Sequence, residues 1–169
     1  MLIELTHINI FKQFIKKIKY EDNFEYFLKQ NIQYINIREN HKDKCTLLMR
    51  TIVDPKYFKY TELLINYGAD INLQSNNLKL TALMYAVIFN NINAIELLLN
   101  NNNININIVD KYNYTALTWA IKLNKIKIIE KLIDRILIQK YDIMCIINRN
   151  IHMKSKKINS ILLEIIKID

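Results

Sequence analysis

The chain is 169 residues long and about half of it is apolar (51%), which suffices for one domain with a hydrophobic core. Its only glycine is Gly68 and its only proline is Pro55, so a glycine-rich loop that cradles nucleotide phosphates is excluded in its usual form. The formal net charge of +8 has two interpretations: a lysine-rich solvated surface, as A/T-rich coding produces, or a surface for an acidic partner or nucleic acid.

The first 40 residues carry two apolar stripes at helical spacing. The first stripe comprises Ile8, Phe11, Phe14, Ile15 and Ile18, and the second comprises Phe24, Phe27 and Leu28. This spacing predicts helices with one buried face. We expect residues 1–40 to form an N-terminal cap and a degenerate repeat.

Three related helix pairs are predicted next. Their first helices follow Thr46, Thr81 and Thr115, where the sequence reads TLLMRTIVDPK, TALMYAVIFNN and TALTWAIKLNK. The starts lie 35 and 34 residues apart, and a second apolar segment with helical periodicity follows each block. The threonine hydroxyls can cap the free N–H groups of these helices. The predicted units are residues 41–75, 76–110 and 111–140, which stack because one unit cannot bury its apolar face alone.

These blocks resemble the ankyrin repeat, a unit of about 33 residues with the signature T-P-L-H-x-A. The matches are TALMYA at 81–86 and TALTWA at 115–120, and YGADIN at 67–72 is similar to the turn that leads into the next finger in that family. The resemblance implies one all-α domain, residues 1–169: a solenoid of stacked antiparallel helix pairs with short β-hairpin-like fingers. Residues 141–169 are then expected to be degenerate C-terminal capping helices.

The signature also departs from the family at three positions. The proline is replaced by Leu47, Ala82 and Ala116; the histidine by Met49, Met84 and Thr118; and the glycine between the helices by Pro55, Asn90 and Asn124. Asparagine tolerates the left-handed backbone conformation, so Asn90 and Asn124 suit that turn. Loss of the histidine predicts a less rigid stack.

The segment NNNNININIVD at 100–110 occupies the position that NYGADIN occupies one unit earlier. We expect Asn100 to Asn103 to close the second helix, with an asparagine in the left-handed conformation. Either Ile104 and Ile106 or Ile106 and Ile108 then turn toward the stack. The alternation predicts the arm of a finger rather than a disordered tract.

Catalysis, cofactors and a metal site are not expected. The histidines and cysteines share no metal-ligand spacing, no histidine accompanies a nucleophile turn, and both cysteines are expected to be free thiols. No signal peptide and no apolar run of about 18 residues is present, so we expect an intracellular protein, in the cytoplasm or nucleus, without a membrane span.

The resemblance implies binding of another protein through the concave face formed by the fingers and the first helices. The corresponding residues are Lys42, Asp43, Val53, Asn77, Leu78, Leu80, Ile88, Val109, Lys111, Tyr112, Tyr114 and Lys122. Trp119 falls at a packing position instead. Lys111 and Lys122 beside Tyr112 and Tyr114 would favour an acidic partner.

Alternatives to this prediction remain open. The positive charge would serve a nucleic-acid-binding protein, although no dense basic stripe with interleaved aromatics is present, so this partner is not favoured. The amphipathic stretch at 159–166 would serve an adaptor that recruits a ubiquitin ligase, as degenerate F-boxes do in some ankyrin proteins, but it lacks the Leu-Pro entry. The chain is expected to be a monomer or a fragment of a longer array.

Overall fold

The computed structural model describes residues 2–20, 23–40 and 43–138. These residues form eight α-helices: α1 (Leu2–Tyr20), α2 (Phe24–Gln30), α3 (Leu47–Ile52), α4 (Phe58–Asn66), α5 (Ala82–Ile88), α6 (Ile92–Leu99), α7 (Ala116–Lys122) and α8 (Ile126–Ile138). Two 3₁₀ helices, Ile32–Tyr34 and Pro55–Tyr57, follow α2 and precede α4. The predicted C-terminal capping helices at 141–169 lie outside the described residues.

The helices stack in two layers. Consecutive helices pack in pairs, α1 with α2, α3 with α4, α5 with α6 and α7 with α8. The first helices of successive pairs also pack together, α1 on α3, α3 on α5 and α5 on α7, and so do α4, α6 and α8. The described chain is therefore an all-α solenoid with an inner row of odd-numbered helices and an outer row of even-numbered ones, as predicted.

The core runs through the interface between the two rows. Ala86 and Ala120 are completely buried, which lets neighbouring inner helices approach closely, as their small size predicts. At the N-terminal end the predicted stripes are confirmed: Phe11, Phe14, Ile18, Phe24 and Leu28 are buried, and Ile8, Ile15 and Phe27 are partly buried. The Phe14 ring meets the Phe27 ring edge-on at 4.9 Å between centroids. The front segment thus belongs to the same continuous core.

The predicted threonine caps are present in all three repeats. Thr46, Thr81 and Thr115 accept a hydrogen bond on Oγ1 from the backbone N–H three residues later, at 3.3, 3.3 and 3.2 Å. In the first two repeats the threonine N–H in turn donates to the sulfur of Met49 or Met84. Methionine therefore supplies an acceptor at the position where the family signature has histidine.

The turns between the paired helices differ from repeat to repeat. Asn90 and Asn124 adopt the predicted left-handed conformation, with φ of 57° and 54°. Asn91 then caps α6, and its amide also donates to the Ile52 carbonyl of the preceding repeat at 2.9 Å. In the first repeat Pro55 instead starts a 3₁₀ helix that is capped by the Asp54 carboxylate.

The asparagine-rich segment is ordered, but the predicted left-handed asparagine at 100–103 is wrong. Within the described chain none of these four residues has positive φ, and Asn100 is in the right-handed region at φ −75°. The Asn101 side chain accepts the Asn103 N–H at 2.9 Å, so an Asx turn replaces the left-handed residue. Ile104 and Ile106 are both 5% exposed, which confirms the first of the two predicted registers.

Candidate functional site

Each finger is a short hairpin with a buried polar residue at its base. The base residues Glu39, Ser75 and Asp110 are 7%, 0% and 4% exposed. Their N–H groups donate to the carbonyls of Cys45, Leu80 and Tyr114, at 2.9, 2.8 and 2.9 Å. These bonds close the hairpins and set the direction in which the finger tips point.

Successive fingers are hydrogen-bonded to one another. The Asn76 N–H donates to the Asp43 carbonyl at 2.8 Å, and the Lys111 N–H donates to the Leu78 carbonyl at 2.9 Å. The Gln74 amide also donates to the Val109 carbonyl at 2.8 Å. The three fingers therefore form one continuous row rather than three independent loops.

The inner helices contribute one long side chain each to this row. Arg50 lies 3.7 Å from the Glu39 carboxylate, and the Trp119 Nε1–H donates to the Asp110 carboxylate at 2.9 Å. Tyr85 hydrogen-bonds with Cys45 at 2.8 Å. We call the surface formed by the finger tips and the adjoining side of α3, α5 and α7 the finger face.

Four of the predicted partner-binding residues meet in the third repeat. The Lys122 ammonium lies 4.8 Å from the centre of the Tyr114 ring and 5.2 Å from that of Trp119, and those two rings meet edge-on. Tyr112 is 56% exposed and lies 6.3 Å from Tyr114, and Lys111 is exposed beside it. Half-buried Trp119 packs against the core as predicted, yet it also forms the floor of this aromatic–lysine cluster.

The Asp110 carboxylate holds the cluster in place. Its Oδ1 accepts the N–H groups of Tyr112 and Tyr114 at 2.8 and 2.9 Å, and its Oδ2 accepts the Trp119 indole. One buried side chain therefore orders the finger tip and the helix beneath it. The sequence pattern did not indicate these three bonds.

Two exposed apolar residues of the finger face were missed from sequence. Phe89 is 44% exposed and Leu123 is 39% exposed, and they lie directly after α5 and α7, one repeat apart. The Phe89 ring stacks on Tyr85 with 6.2 Å between centroids. Both residues could have been identified from the sequence, because each immediately precedes the left-handed asparagine that ends the first helix of its pair.

The remaining predicted residues differ in exposure. Leu80 was expected on the binding face but is 4% exposed, because the hairpin directs it into the stack; that prediction is wrong. Val53, Leu78 and Ile88 are partly buried against the core. Asp43 is partly buried and accepts from the Tyr85 hydroxyl, Asn77 is exposed and Val109 is 37% exposed. Lys42 lies outside the described residues.

The one cysteine of the described chain is a buried thiol. Burial raises the pKa of Cys45 to about 11, and burial also raises the pKa of its partner Tyr85. Cys45 therefore stays protonated at neutral pH and is a poor nucleophile. Over the same residues no group of three or more histidine, cysteine or acidic side chains could hold a metal ion.

None of the helices in the described ranges is both long and apolar enough to span a membrane.

Comparison with known families agrees with this architecture. A family model described as ankyrin repeats (three copies) matches residues 3–110 and 48–144. Such repeats generally serve as protein–protein interaction modules and are typically non-catalytic. No curated protein matches the chain. Since the matched residues cover most of its length, the chain belongs to the ankyrin-repeat family.

Proposed function

We propose that this chain binds an acidic, aromatic- or apolar-containing segment of another protein through its finger face. The observation that carries the proposal is the aromatic–lysine cluster of Tyr112, Tyr114, Trp119 and Lys122 in the third repeat. Phe89 and Leu123 extend this cluster with exposed apolar surface along α5 and α7.

The cluster is ordered before any partner arrives. Asp110 accepts three hydrogen bonds from it, and the finger row fixes the neighbouring tips. A preformed surface loses little conformational entropy on binding, so more of the contact energy contributes to affinity. Tyrosine and tryptophan are also the side chains that most often anchor protein interfaces.

Charge supports an acidic partner. Lys111 and Lys122 are exposed at the cluster, whereas Asp110 is buried and its carboxylate already accepts three donors. Arg50 and Glu39 at the other end of the face largely neutralise each other, because the two groups lie 3.7 Å apart. An acidic segment meets the exposed positive charges of Lys111 and Lys122 at the third repeat, which favours fast and specific association there.

The test is a pull-down from the native cell with matched variants. Tyr112→Ala and Phe89→Ala should weaken partner capture by about tenfold or more, as anchor residues do. Tyr26→Ala on α2 is the control, because Tyr26 is 69% exposed and lies away from the finger face. Both test residues are largely exposed, so the circular-dichroism melts should match that of the unmodified chain.

A result in which all three variants capture the partner equally would contradict the proposal. Loss of the thermal unfolding transition in Tyr112→Ala would show instead that this residue stabilises the fold. Fluorescence of Trp119, the only tryptophan in the chain, reports directly on the cluster when the identified partner is titrated. An unchanged spectrum at saturation would place the interface elsewhere.

A further inference from the structure

The finger row is open at its N-terminal end within the described residues. In the second and third fingers the residue directly after the base, Asn76 or Lys111, donates its backbone N–H to a carbonyl of the preceding finger. Asn40 holds this position in the first finger. Within the described ranges no finger precedes it, and no acceptor is paired with its N–H. Among the described residues, the backbone edge that each later finger uses to bond to the finger before it therefore has no partner in the first finger.

This edge borders a cleft of about 620 Å³. The described residues that line the cleft include Arg38, Asn40 and Lys44 of the first finger, Asn76 of the second finger and Ile8 of α1. Ile8 is partly buried and adds an apolar wall, while Asn40 and Lys44 are exposed. The space combines a backbone donor, an apolar contact and positive charge.

We infer that an extended acidic segment of a partner protein docks along this edge and supplies the carbonyl that Asn40 lacks. The bond would repeat the ones that Asp43 and Leu78 accept from the next two fingers. Addition of an extended segment to an unpaired edge is a general mode of peptide recognition, in which backbone bonds provide affinity and neighbouring side chains provide selectivity.

The charge of the cleft selects the acidic occupant. Lys44 is exposed, and Arg38 is partly exposed with its guanidinium bonded to the Gln74 carbonyl and the Asn76 side chain. The neighbouring Glu39 carboxylate is buried 3.7 Å from Arg50. A second copy of this chain is a poor occupant, because each copy carries a formal net charge of +8.

This docking edge is separate from the aromatic–lysine cluster proposed above. It lies beside the first finger, whereas the cluster lies at the third. The two proposals therefore have different readouts, the Asn40 amide for the edge and Trp119 fluorescence for the cluster. Either one can fail without the other.

The experiment is amide hydrogen exchange of the ¹⁵N-labelled chain, followed by NMR. The probe is the blocked acidic peptide acetyl-(Glu-Val)₄-amide, at concentrations up to about 1 mM because an isolated peptide binds weakly. Exchange of the Asn40 amide should slow by about tenfold at saturation, whereas the amides of Asn76 and Lys111, which are already bonded, should change little. The basic peptide acetyl-(Lys-Val)₄-amide should give no protection.

A matched pair of variants tests the charge argument. Lys44→Glu should weaken binding of the acidic peptide by about fivefold or more, through the lost and reversed charge. Lys79→Glu is the control: it makes the same charge change at the equivalent position of the second finger, and both lysines are exposed with left-handed backbones. NMR spectra of both variants verify that the fold is retained.

Three outcomes would overturn the inference. The first is an unprotected Asn40 amide at the highest peptide concentration. The second is equal weakening by Lys44→Glu and Lys79→Glu, which would indicate a diffuse electrostatic effect. The third is protection of Asn40 that rises with protein concentration in the absence of peptide, which would identify a second copy as the occupant.

Discussion

At the scale of single residues, methionine stands where the family signature has histidine and accepts a hydrogen bond there. The sulfur atoms of Met49 and Met84 lie 3.4 and 3.5 Å from the N–H groups of Thr46 and Thr81, respectively. Thioether sulfur is a weak acceptor, so the local geometry of the cap is retained with a weaker bond. The third repeat uses the Thr118 hydroxyl, 3.1 Å from that of Thr115. Reduced rigidity of the stack stays a prediction.

Lysine occupies a strained backbone position in two fingers. Lys44 and Lys79 have φ of 43° and 57°, and in the third finger Asn113 holds the equivalent position at 61°. Asparagine tolerates this conformation better than lysine. We expect Lys79→Asn to raise the free energy of unfolding by about 0.5 kcal/mol, and Asn113→Lys to lower it by a similar amount. Urea denaturation followed by circular dichroism measures both; equal effects of one sign would contradict this account.

Cys45 makes stability depend on alkaline pH. Burial raises its pKa from 9.0 to about 11, so below pH 9 the thiol is protonated in the folded and unfolded chain alike. As pH rises from 9 to 11 the unfolded chain loses this proton while the folded chain keeps it, and stability therefore falls. Thermal melts across this range should decline more steeply for the unmodified chain than for Cys45→Ala. Parallel declines would assign the effect to other groups, such as Tyr85.

At the scale of elements, helical periodicity and capping threonines predicted the inner helices, and the resemblance to the family, whose glycine between the helices is replaced here by Asn90 and Asn124, predicted the left-handed turns. The structure differs from the prediction where a side chain produces the turn by another hydrogen bond or another local conformation. The Asx turn at Asn101 removed the need for a left-handed residue, and Pro55 started a 3₁₀ helix instead of a simple turn. Such choices depend on hydrogen bonds that a sequence pattern does not specify.

Only part of the candidate site could be predicted from the sequence. The residues of the third finger were found because their position in the repeat is regular. Leu80 directly precedes the capping Thr81 and is buried like Cys45 at the same position of the first repeat, whereas Tyr114 in the third repeat is partly exposed. Phe89 is exposed because α5 ends directly before it, and helical periodicity alone does not locate that end.

The arm at 100–107 is held by its neighbour. The Asn72 amide donates to the Asn103 carbonyl at 2.8 Å, and its oxygen accepts the Asn105 N–H at 2.9 Å. We expect the folded chain to resist proteolysis in this arm. Asn72→Ala should speed cleavage there by about tenfold, because two bonds worth about 0.5–1.5 kcal/mol each are lost.

The control for this prediction is Asn102→Ala. Asn102 is exposed in the same arm, and its change should leave the cleavage rate nearly unaltered. Mass spectrometry of limited digests locates the cuts. Rapid cleavage of the unmodified chain between residues 100 and 107 would contradict the structure of the arm.

At the scale of the whole molecule, the exposed lysines of the described ranges are spread over several elements rather than concentrated on one. Exposed lysines lie on α1 at Lys12 and Lys16, on α4 at Lys59, and on the third finger at Lys111. Nucleic-acid binding depends on many simultaneous phosphate contacts and weakens steeply with salt. We therefore expect no retention on heparin or random-sequence RNA at about 0.15 M salt. Retention at that ionic strength would favour the nucleic-acid alternative.

Among the described residues, the bonds between fingers join each finger to the finger of the next repeat. The Asp43 carbonyl receives Asn76, the Leu78 carbonyl receives Lys111, and both donors are backbone groups that any non-proline residue supplies. If a tandem copy of residues 76–110 were inserted in frame, its finger could form the same backbone hydrogen bonds with the fingers on either side. The architecture permits growth by duplication of the gene segment, with each added unit free to diverge at the exposed positions where partners are chosen.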